Sequence, residues 1–414
     1  MLAPIFSRVV LRGTLTVIYS GGAREIYGTG FPHVTIRLHD RRAVLELMFH
    51  PELKIGELYT DKRLTVESGD LADLLGILMD GLARVRPFGL LKIARVFRRL
   101  TRRFDQFNPA SKSKEHVAHH YDLSGRLYDL FLGRDKQYSC AYFCSADETL
   151  EDAQTGKKRH IAAKLHLNKP GLKVLDIGCG WGGMALNLAQ DCSANVLGIT
   201  LSEEQITVAR ERAAEAKLQR NCRFELVDYR ALGSRYDRIV SVGMFEHVGA
   251  PYYDAFFSKV RDLLTDDGVM LLHFIGRTDV PGATNPWIAK YIFPGGYAPA
   301  LSEVMAAIEK SGLIVNDVEV LRLHYAETLR EWRKRFDQNR TQIAALYDER
   351  FCRMWEFYLV GSEMAFRHDG QVVFQIQLTK RIDALPLTRD YMVDNERTMR
   401  FAGTEEMPRP SIAQ

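Results

Sequence analysis

From residue 173 onward, short apolar runs alternate with stretches of helical spacing. The apolar runs are Lys173–Asp176, Asn195–Thr200, Arg223–Val227, Tyr236–Val242 and Val269–Phe274, and helical spacing marks Met184–Gln190, Glu203–Lys217 and Tyr252–Leu264. Continuous apolar runs of this length read as strands covered on both faces, and repeated βα units imply a parallel sheet with helices on both sides. Leu313–Val320 and Gln371–Leu378 add two strands. The long aromatic-rich stretch Ala326–Arg367 between them reads as an inserted helical cover over the sheet edge. Residues 12–67 carry a different pattern. GTLTVIYS, HVTIRLHD and AVLELMF are β-branched and aromatic, lie between turn signals such as Gly21-Gly22 and His39-Asp40, and predict short strands. Leu71–Met79 reads as a helix behind Ser68 or Asp70. The expected fold is α/β: a Rossmann-like seven-stranded sheet with a helical insertion, preceded by a small α+β domain.

Composition adds scale and a charge asymmetry. The chain has 414 residues, 46% hydrophobic and 26% charged, enough for two or three domains with a sizeable core. Its six cysteines are scattered without a C-x-x-C pair, the pattern of reduced thiols. No apolar run approaches the roughly 18–20 residues that span a bilayer, and the N-terminus lacks the features of a signal peptide, so a cytoplasmic location is expected. Residues 1–110 hold 17 Lys/Arg against 11 Asp/Glu, whereas the remainder holds 39 against 41. The basic excess therefore belongs to the N-terminal part and asks for an anionic partner. It is densest at Phe88–Phe107, where Leu90, Ile93, Ala94, Phe97, Leu100 and Phe104 form an apolar stripe opposite Lys92, Arg95, Arg99, Arg102 and Arg103. That pattern suits an interfacial membrane helix and equally a domain-packing helix with a charged face. It carries no motif that reads nucleic acid.

Open α/β sheets bind ligands beyond the carboxyl ends of their strands, so the residues just after each strand are the candidates for chemistry. The first strand runs into Asp176-Ile-Gly178-Cys-Gly180-Trp-Gly182-Gly183, whose glycines allow a tight turn and close backbone approach to a ligand. Both a methyltransferase loop and a dinucleotide loop fit that run. The second strand discriminates, because it ends Gly198-Ile-Thr200-Leu-Ser202 with no acid to hold a nicotinamide-cofactor ribose, leaving Thr200 and Gln205 in that place. Asp228-Tyr229 after the third strand suits an adenine edge and face. Glu246-His247 follows the fourth strand and His273 ends the fifth. A histidine in an apolar strand is usually a core residue, but this one shares an edge with Glu246. His116, His119 and His120 have helical spacing but no carboxylate or thiol completing a metal set, so no metal is expected. Cys140, in Tyr138-Ser139-Cys140-Ala141-Tyr142, reads on composition as a small buried hydrophobe.

Nine ordered blocks carry a resemblance: HHYDLSGRLYDLFLG, QYSCAYF, VLDIGCGWGG, GITLSEEQ, DRIVSVGMFEHVG, LLHFIG, KYIFPGG, HYAETLREW and RMWEFYL. Together they resemble the cyclopropane-fatty-acyl-phospholipid synthase family, which includes the mycolic acid cyclopropane synthases. One local departure is Gly295 in KYIFPGG, where asparagine is common. The resemblance implies transfer of a methylene from S-adenosylmethionine across a cis double bond of a phospholipid acyl chain, through a carbocation deprotonated by bound bicarbonate. The same cation can also lead to methylene- or methyl-branched chains. It implies a bicarbonate pocket of Cys140, Glu246, His273, Tyr325 and the Ile275 backbone. It implies cofactor positions at Tyr138, Ser139, Asp176, Gly178, Gly180, Thr200, Gln205, Asp228 and Tyr229. Tyr291 and Phe293 are candidates to stabilise the cation by their ring faces. It further implies an N-terminal lipid- and membrane-binding domain at 1–107 with its basic helix at 88–107, a linker at 108–118, a catalytic domain at 119–390 and a tail at 391–414. Unsaturated phospholipids and an anionic membrane surface are then the expected partners, at the inner membrane face, and a homodimer is compatible with the family.

Overall fold

The computed structural model describes residues 2–85 and 125–402. The basic stretch 88–107, the linker and the three histidines at 116–120 lie outside the described residues.

The N-terminal unit is a four-stranded sheet with helices. Its strands are β1 (Gly13–Ile18), β2 (Arg24–Thr29), β3 (His33–Leu38) and β4 (Leu64–Ser68), in the order β2-β1-β3-β4. Leu15 and Val17 of β1 and Val34, Ile36 and Leu38 of β3 alternate inward and bury one face. The run AVLELMF, expected as a strand, is instead part of the helix Arg41–Phe49. Asp40 caps it by accepting the Ala43 N–H at 2.8 Å, and Ala43, Val44 and Leu47 fall on one buried stripe. Arg63, brought in from just before β4, clamps the cap by reaching both Asp40 and Glu46. Four further elements were not singled out: β2, β4, and the helices Ala3–Val9 and Pro51–Thr60. Helix Leu71–Arg84 is capped by Asp70, which accepts the Asp73 N–H. It packs so closely on the first helix that a Cβ at Gly81 would lie 1.6 Å from the Val9 carbonyl oxygen.

The second unit is the seven-stranded sheet. Adding β5 (Lys173–Ile177), β6 (Asn195–Thr200), β7 (Cys222–Leu226), β8 (Tyr236–Val242), β9 (Leu264–Arg277), β10 (Ile314–Leu321) and β11 (Gln371–Thr379), the order is β10-β11-β9-β8-β5-β6-β7. The sheet is not wholly parallel, as the βα alternation suggested: β11 inserts antiparallel to both β9 and β10. This places Gln375 directly opposite His273.

Residues 326–367 are helical as expected, forming parts of His324–Gln338, Arg340–Leu346 and Glu349–His368. They do more than cover an edge. The long helix Glu349–His368 packs against Pro51–Thr60 and Leu71–Arg84 of the N-terminal unit, and one continuous core runs through both. At that junction a Cβ on Gly56 would lie 2.5 Å from the Trp287 indole nitrogen and 2.7 Å from the Phe357 ring, so only glycine admits this contact. Residues 391–402, expected as part of a tail, belong to the helix Asp390–Ala402, which lies against Leu150–Lys164 with Glu396 bonded to His160 at 2.9 Å. Among the described residues, no helix is long and apolar enough to cross a membrane.

Candidate active site

Two cavities meet at the carboxyl edge of the large sheet. The first, about 160 Å³, is built by the turns after β5, β6, β7 and β8 together with residues 136–139. Gly178 and Gly182 adopt φ of +81° and +83° with Met244 and Phe224 filling the space a Cβ would need, while Gly180, at +54°, faces open space. The β5 turn therefore leaves its backbone accessible. All nine residues expected at the cofactor line this cavity. Their bonding is more specific than their spacing implied. Thr200 Oγ1 donates to Gln205 Oε1 at 2.8 Å and accepts the Ser202 N–H at 3.2 Å. That leaves the Gln205 amide nitrogen as the donor of the pair. Asp228 is forked by Arg230, whose Nε donates at 2.8 Å and which also sits over the Tyr229 ring at 5.5 Å. Burial tends to raise Asp228, but Arg230 outweighs it and holds the carboxyl below its ordinary range. Asp176 is fully buried, and burial pushes it up to about 7 despite Lys157 nearby.

The second cavity, about 320 Å³, is larger and mainly apolar. It extends from the sheet edge into the core of the N-terminal unit, where Phe6, Ile36, Leu47, Leu75 and Leu78 line it. Cys140, Glu246, His273, Ile275 and Tyr325 converge at its sheet end. Glu246 accepts the Ile275 N–H at 2.6 Å through Oε1, while its buried Oε2 has no partner among the described residues. Burial raises this carboxyl to about 7 against the Ile275 bond, so near neutral pH it is partly protonated. The Ile275 N–H, part of the expected pocket, is thus engaged by Glu246. Gln375 Nε2 lies 3.2 Å from His273 Nδ1. An amide nitrogen can only donate, so Nδ1 accepts and the ring proton sits on Nε2. Burial first, and Lys157 second, push His273 well below its ordinary value and keep it neutral. Burial likewise raises the Cys140 thiol, so it stays protonated and donates to the Ala141 carbonyl at 3.2 Å.

Of the two aromatic candidates, Phe293 lines the second cavity and Tyr291 does not. Tyr291 turns its hydroxyl to Glu57 at 2.9 Å, with Lys290 over its ring at 4.9 Å. Tyr358, Trp287 and Phe357 line the cavity instead. Tyr138 and Tyr358 meet hydroxyl to hydroxyl at 2.8 Å. Sequence reasoning also passed over Gln375 and Lys157. The signal for Gln375 was a polar residue inside the apolar run QVVFQIQL.

Tyr138, Ser139, Gly243 and His247 line both cavities and form the wall between them. A chamber of mixed polarity with a glycine turn thus shares a wall with a larger, mainly apolar chamber that holds Cys140, Glu246, His273 and Tyr325. This is the arrangement of an S-adenosylmethionine-dependent C-methyltransferase with the class I fold, and comparison with known proteins agrees. The family model for mycolic acid cyclopropane synthetase matches residues 109–376, and the chain belongs to that family. It is 37% identical over 380 residues to a probable fatty acid methyltransferase of Pseudomonas putida, covering 87% of this chain and 92% of that one. It is 40% identical over 279 residues to the cyclopropane-fatty-acyl-phospholipid synthase of Escherichia coli K12, covering 67% and 71%. The solved structure of mycolic acid cyclopropane synthase CmaA1 complexed with SAH and CTAB superposes with a TM-score of 0.61 at 36% identity, covering 66% of this chain and 99% of that one.

Proposed function

We propose that the protein converts cis double bonds of membrane phospholipid acyl chains into cyclopropane rings. The observation that carries this reading is the second chamber: an apolar cavity reaching from Glu246 and His273 into the N-terminal core, with the cofactor chamber behind Tyr138 and Ser139. A small polar acceptor has no use for such a cavity, whereas an acyl chain fills it.

S-adenosylmethionine supplies the methyl group, and bicarbonate, when bound, supplies the base that takes the proton lost on ring closure. The nine expected residues in the first chamber bind the cofactor, with Gln205 donating to it and Tyr229 and Asp228 at its adenine end. An alkene is a poor nucleophile, so positioning and exclusion of water carry much of the catalysis. The wall of Tyr138, Ser139, Gly243 and His247 brings the two reactants together. The orphaned Glu246 Oε2 and the His273 Nε2–H supply an acceptor and a donor suited to bicarbonate, with the Tyr325 hydroxyl completing the set. Tyr138, Phe293 and Tyr358 present aromatic rings to a developing cation. The N-terminal unit holds the far end of the chain. The basic stretch 88–107 draws the protein to an anionic membrane face, which makes binding depend on anionic lipid and weaken with salt.

The test is incubation of the purified protein with S-adenosylmethionine and vesicles of dioleoylphosphatidylglycerol. The expected product gains one CH₂ per reacted chain, resists hydrogenation and appears with S-adenosylhomocysteine. A branched olefinic or methyl-branched product would instead establish the alternative outcome of the same cation, and release of no S-adenosylhomocysteine would reject both.

A further inference from the structure

The wall between the chambers belongs to a strap, residues 137–143, bound on both sides. From Leu150–Lys164, Gln154 Nε2 donates to the Ser139 carbonyl at 3.0 Å and the Ala153 carbonyl accepts the Tyr142 N–H at 3.0 Å. From His324–Gln338, Thr328 accepts the Ala141 N–H at 3.0 Å and His324 the Phe143 N–H at 3.0 Å. Among the described residues, one group holds the side chains of Gln137 and Ser139. Lys157 Nζ donates to Gln137 Oε1 at 2.6 Å and to Ser139 Oγ at 2.8 Å. Gln137 lines the cofactor chamber, and Ser139 lines both.

Lys157 is an unusual residue to find there. Its exposure is 0%, and among the described residues no carboxylate lies within ion-pair distance of it. Its neighbour Lys158 pairs with Asp135 at 2.7 Å, and Lys164, two turns on, pairs with Asp317 and Glu319. A buried amine without a counter-ion is costly, and it is kept only where its hydrogen bonds serve a purpose. Asp176 of the cofactor turn, and Cys140 and His273 of the apolar chamber, are all electrostatic neighbours of this one amine.

We propose that Lys157 is a positioning residue that fixes Gln137 and Ser139, and so sets the geometry of the opening between the cofactor chamber and the acyl chamber. It touches neither reactant. It acts through the strap, whose hydrogen bonds to the flanking helices fix the backbone but leave these two side chains without another anchor of comparable rigidity. The inference rests on the reading that the two chambers hold S-adenosylmethionine and an acyl chain.

Four full-length variants test it: Lys157→Met, Lys157→Gln, Ser139→Ala, and Lys157→Met combined with Ser139→Ala. Each is measured by thermal unfolding, by calorimetric titration with S-adenosylhomocysteine, and by kcat at saturating S-adenosylmethionine on dioleoylphosphatidylglycerol vesicles. Lys157→Met keeps the stem and should keep cooperative unfolding. Its kcat should fall about 100-fold, the scale of a misplacement of about 1 Å at the reacting atoms, and its affinity for S-adenosylhomocysteine about 10-fold. Lys157→Gln, which restores donors on a shorter stem, should recover part of kcat. The combined variant should lose less than the product of the two single losses, because the interaction between Lys157 and Ser139 is removed in both. Unchanged kcat and affinity in Lys157→Met, or additive losses in the combined variant, would overturn the proposal. If Lys157→Met does not fold, Gln137→Met with Ser139→Ala removes both acceptors and must give the same losses, and parental behaviour there overturns it. If the parent binds S-adenosylhomocysteine but methylates no unsaturated phospholipid, the acyl reading fails, and the affinity ratio alone decides the role of Lys157.

Discussion

The two chambers share a wall but are assembled in opposite ways. Apart from residues 136–139, the cofactor chamber is drawn from one stretch, residues 176–252, and each of its turns follows a strand of the same sheet. The acyl chamber is lined by residues from Leu2 to Gln371 and needs both units, the inserted helices and the antiparallel strand. The first is a local construction repeated along a sheet edge, and the second is a product of tertiary packing. Damage to the first should therefore stay local, whereas the second should respond to substitutions far from the chemistry.

The largest effect expected is at the opening of the acyl chamber. Glu246→Gln keeps the shape and the acceptor for the Ile275 N–H but abolishes the carboxylate. The kcat should fall by about 100- to 10,000-fold, the range lost with a positioned acid or base, with S-adenosylhomocysteine binding unchanged. Weakened cofactor binding in that variant would mean that the chambers are not separable. Gly178→Ala makes the reverse test. It puts a Cβ 2.7 Å from Met244 at a φ of +81°, which should cost about 1–2 kcal/mol and weaken S-adenosylhomocysteine binding about 5- to 30-fold in titration. Gly56→Val, at the junction of the two units, should lower stability by about 1–3 kcal/mol in denaturant unfolding, the usual cost of overpacking. It should also reduce turnover more than cofactor binding, although Gly56 lies in the N-terminal unit. Equal losses in both would erase the contrast between local and distributed construction.

The smallest effect concerns the helix Asp390–Ala402, which is tied down by His160. Burial lowers His160, but its bonds to Glu319 and Glu396 outweigh that and raise it above its ordinary value of 6.5. Burial raises Glu319, yet His160 and Lys164 overcome this and hold it at about 2, against an ordinary 4.5. The histidine's contribution is complete below 6.5 and fades as pH rises through its raised value, while that of Glu319 fades only as pH falls from 4.5 towards 2. Protection factors of the amides in residues 390–402, which take out the base catalysis of exchange itself, should therefore be highest between those limits and fall a few-fold in mild alkali. A flat profile would show that the helix is held by packing alone.

What the sequence revealed follows the same division. β6 and β8 match their expected bounds, because a buried central strand is a bounded apolar run that needs no partner to be recognised. The residues expected at the cofactor and in the bicarbonate pocket line one chamber or the other, whereas the aromatic candidate Tyr291 lines neither. Those at the glycine turn and strand tips are legible in the chain itself, while Tyr138, Ser139, Cys140 and Tyr325 rest on the resemblance. The exceptions depended on distant groups. AVLELMF fits both periods, and Asp40 with Arg63 decides for the helix. Helix Leu150–Lys164 escaped notice because its inward face carries Gln154, Lys157, His160 and Lys164 as well as apolar residues, which blurs the amphipathic pattern. The occupied Ile275 amide is a matter of one side-chain rotamer, which no spacing encodes.

The antiparallel insertion of β11 has a consequence for how the enzyme comes into being. His273 and the glutamine that orients it are 102 residues apart, and the later strand must slide between two edges already made. During synthesis the cofactor turns emerge first, residues 324–328 that anchor the strap follow, and the proton on His273 has no fixed address until residues 371–379 leave the ribosome. A nascent chain would therefore complete the walls of its cofactor chamber before it acquires the means to use a methyl donor.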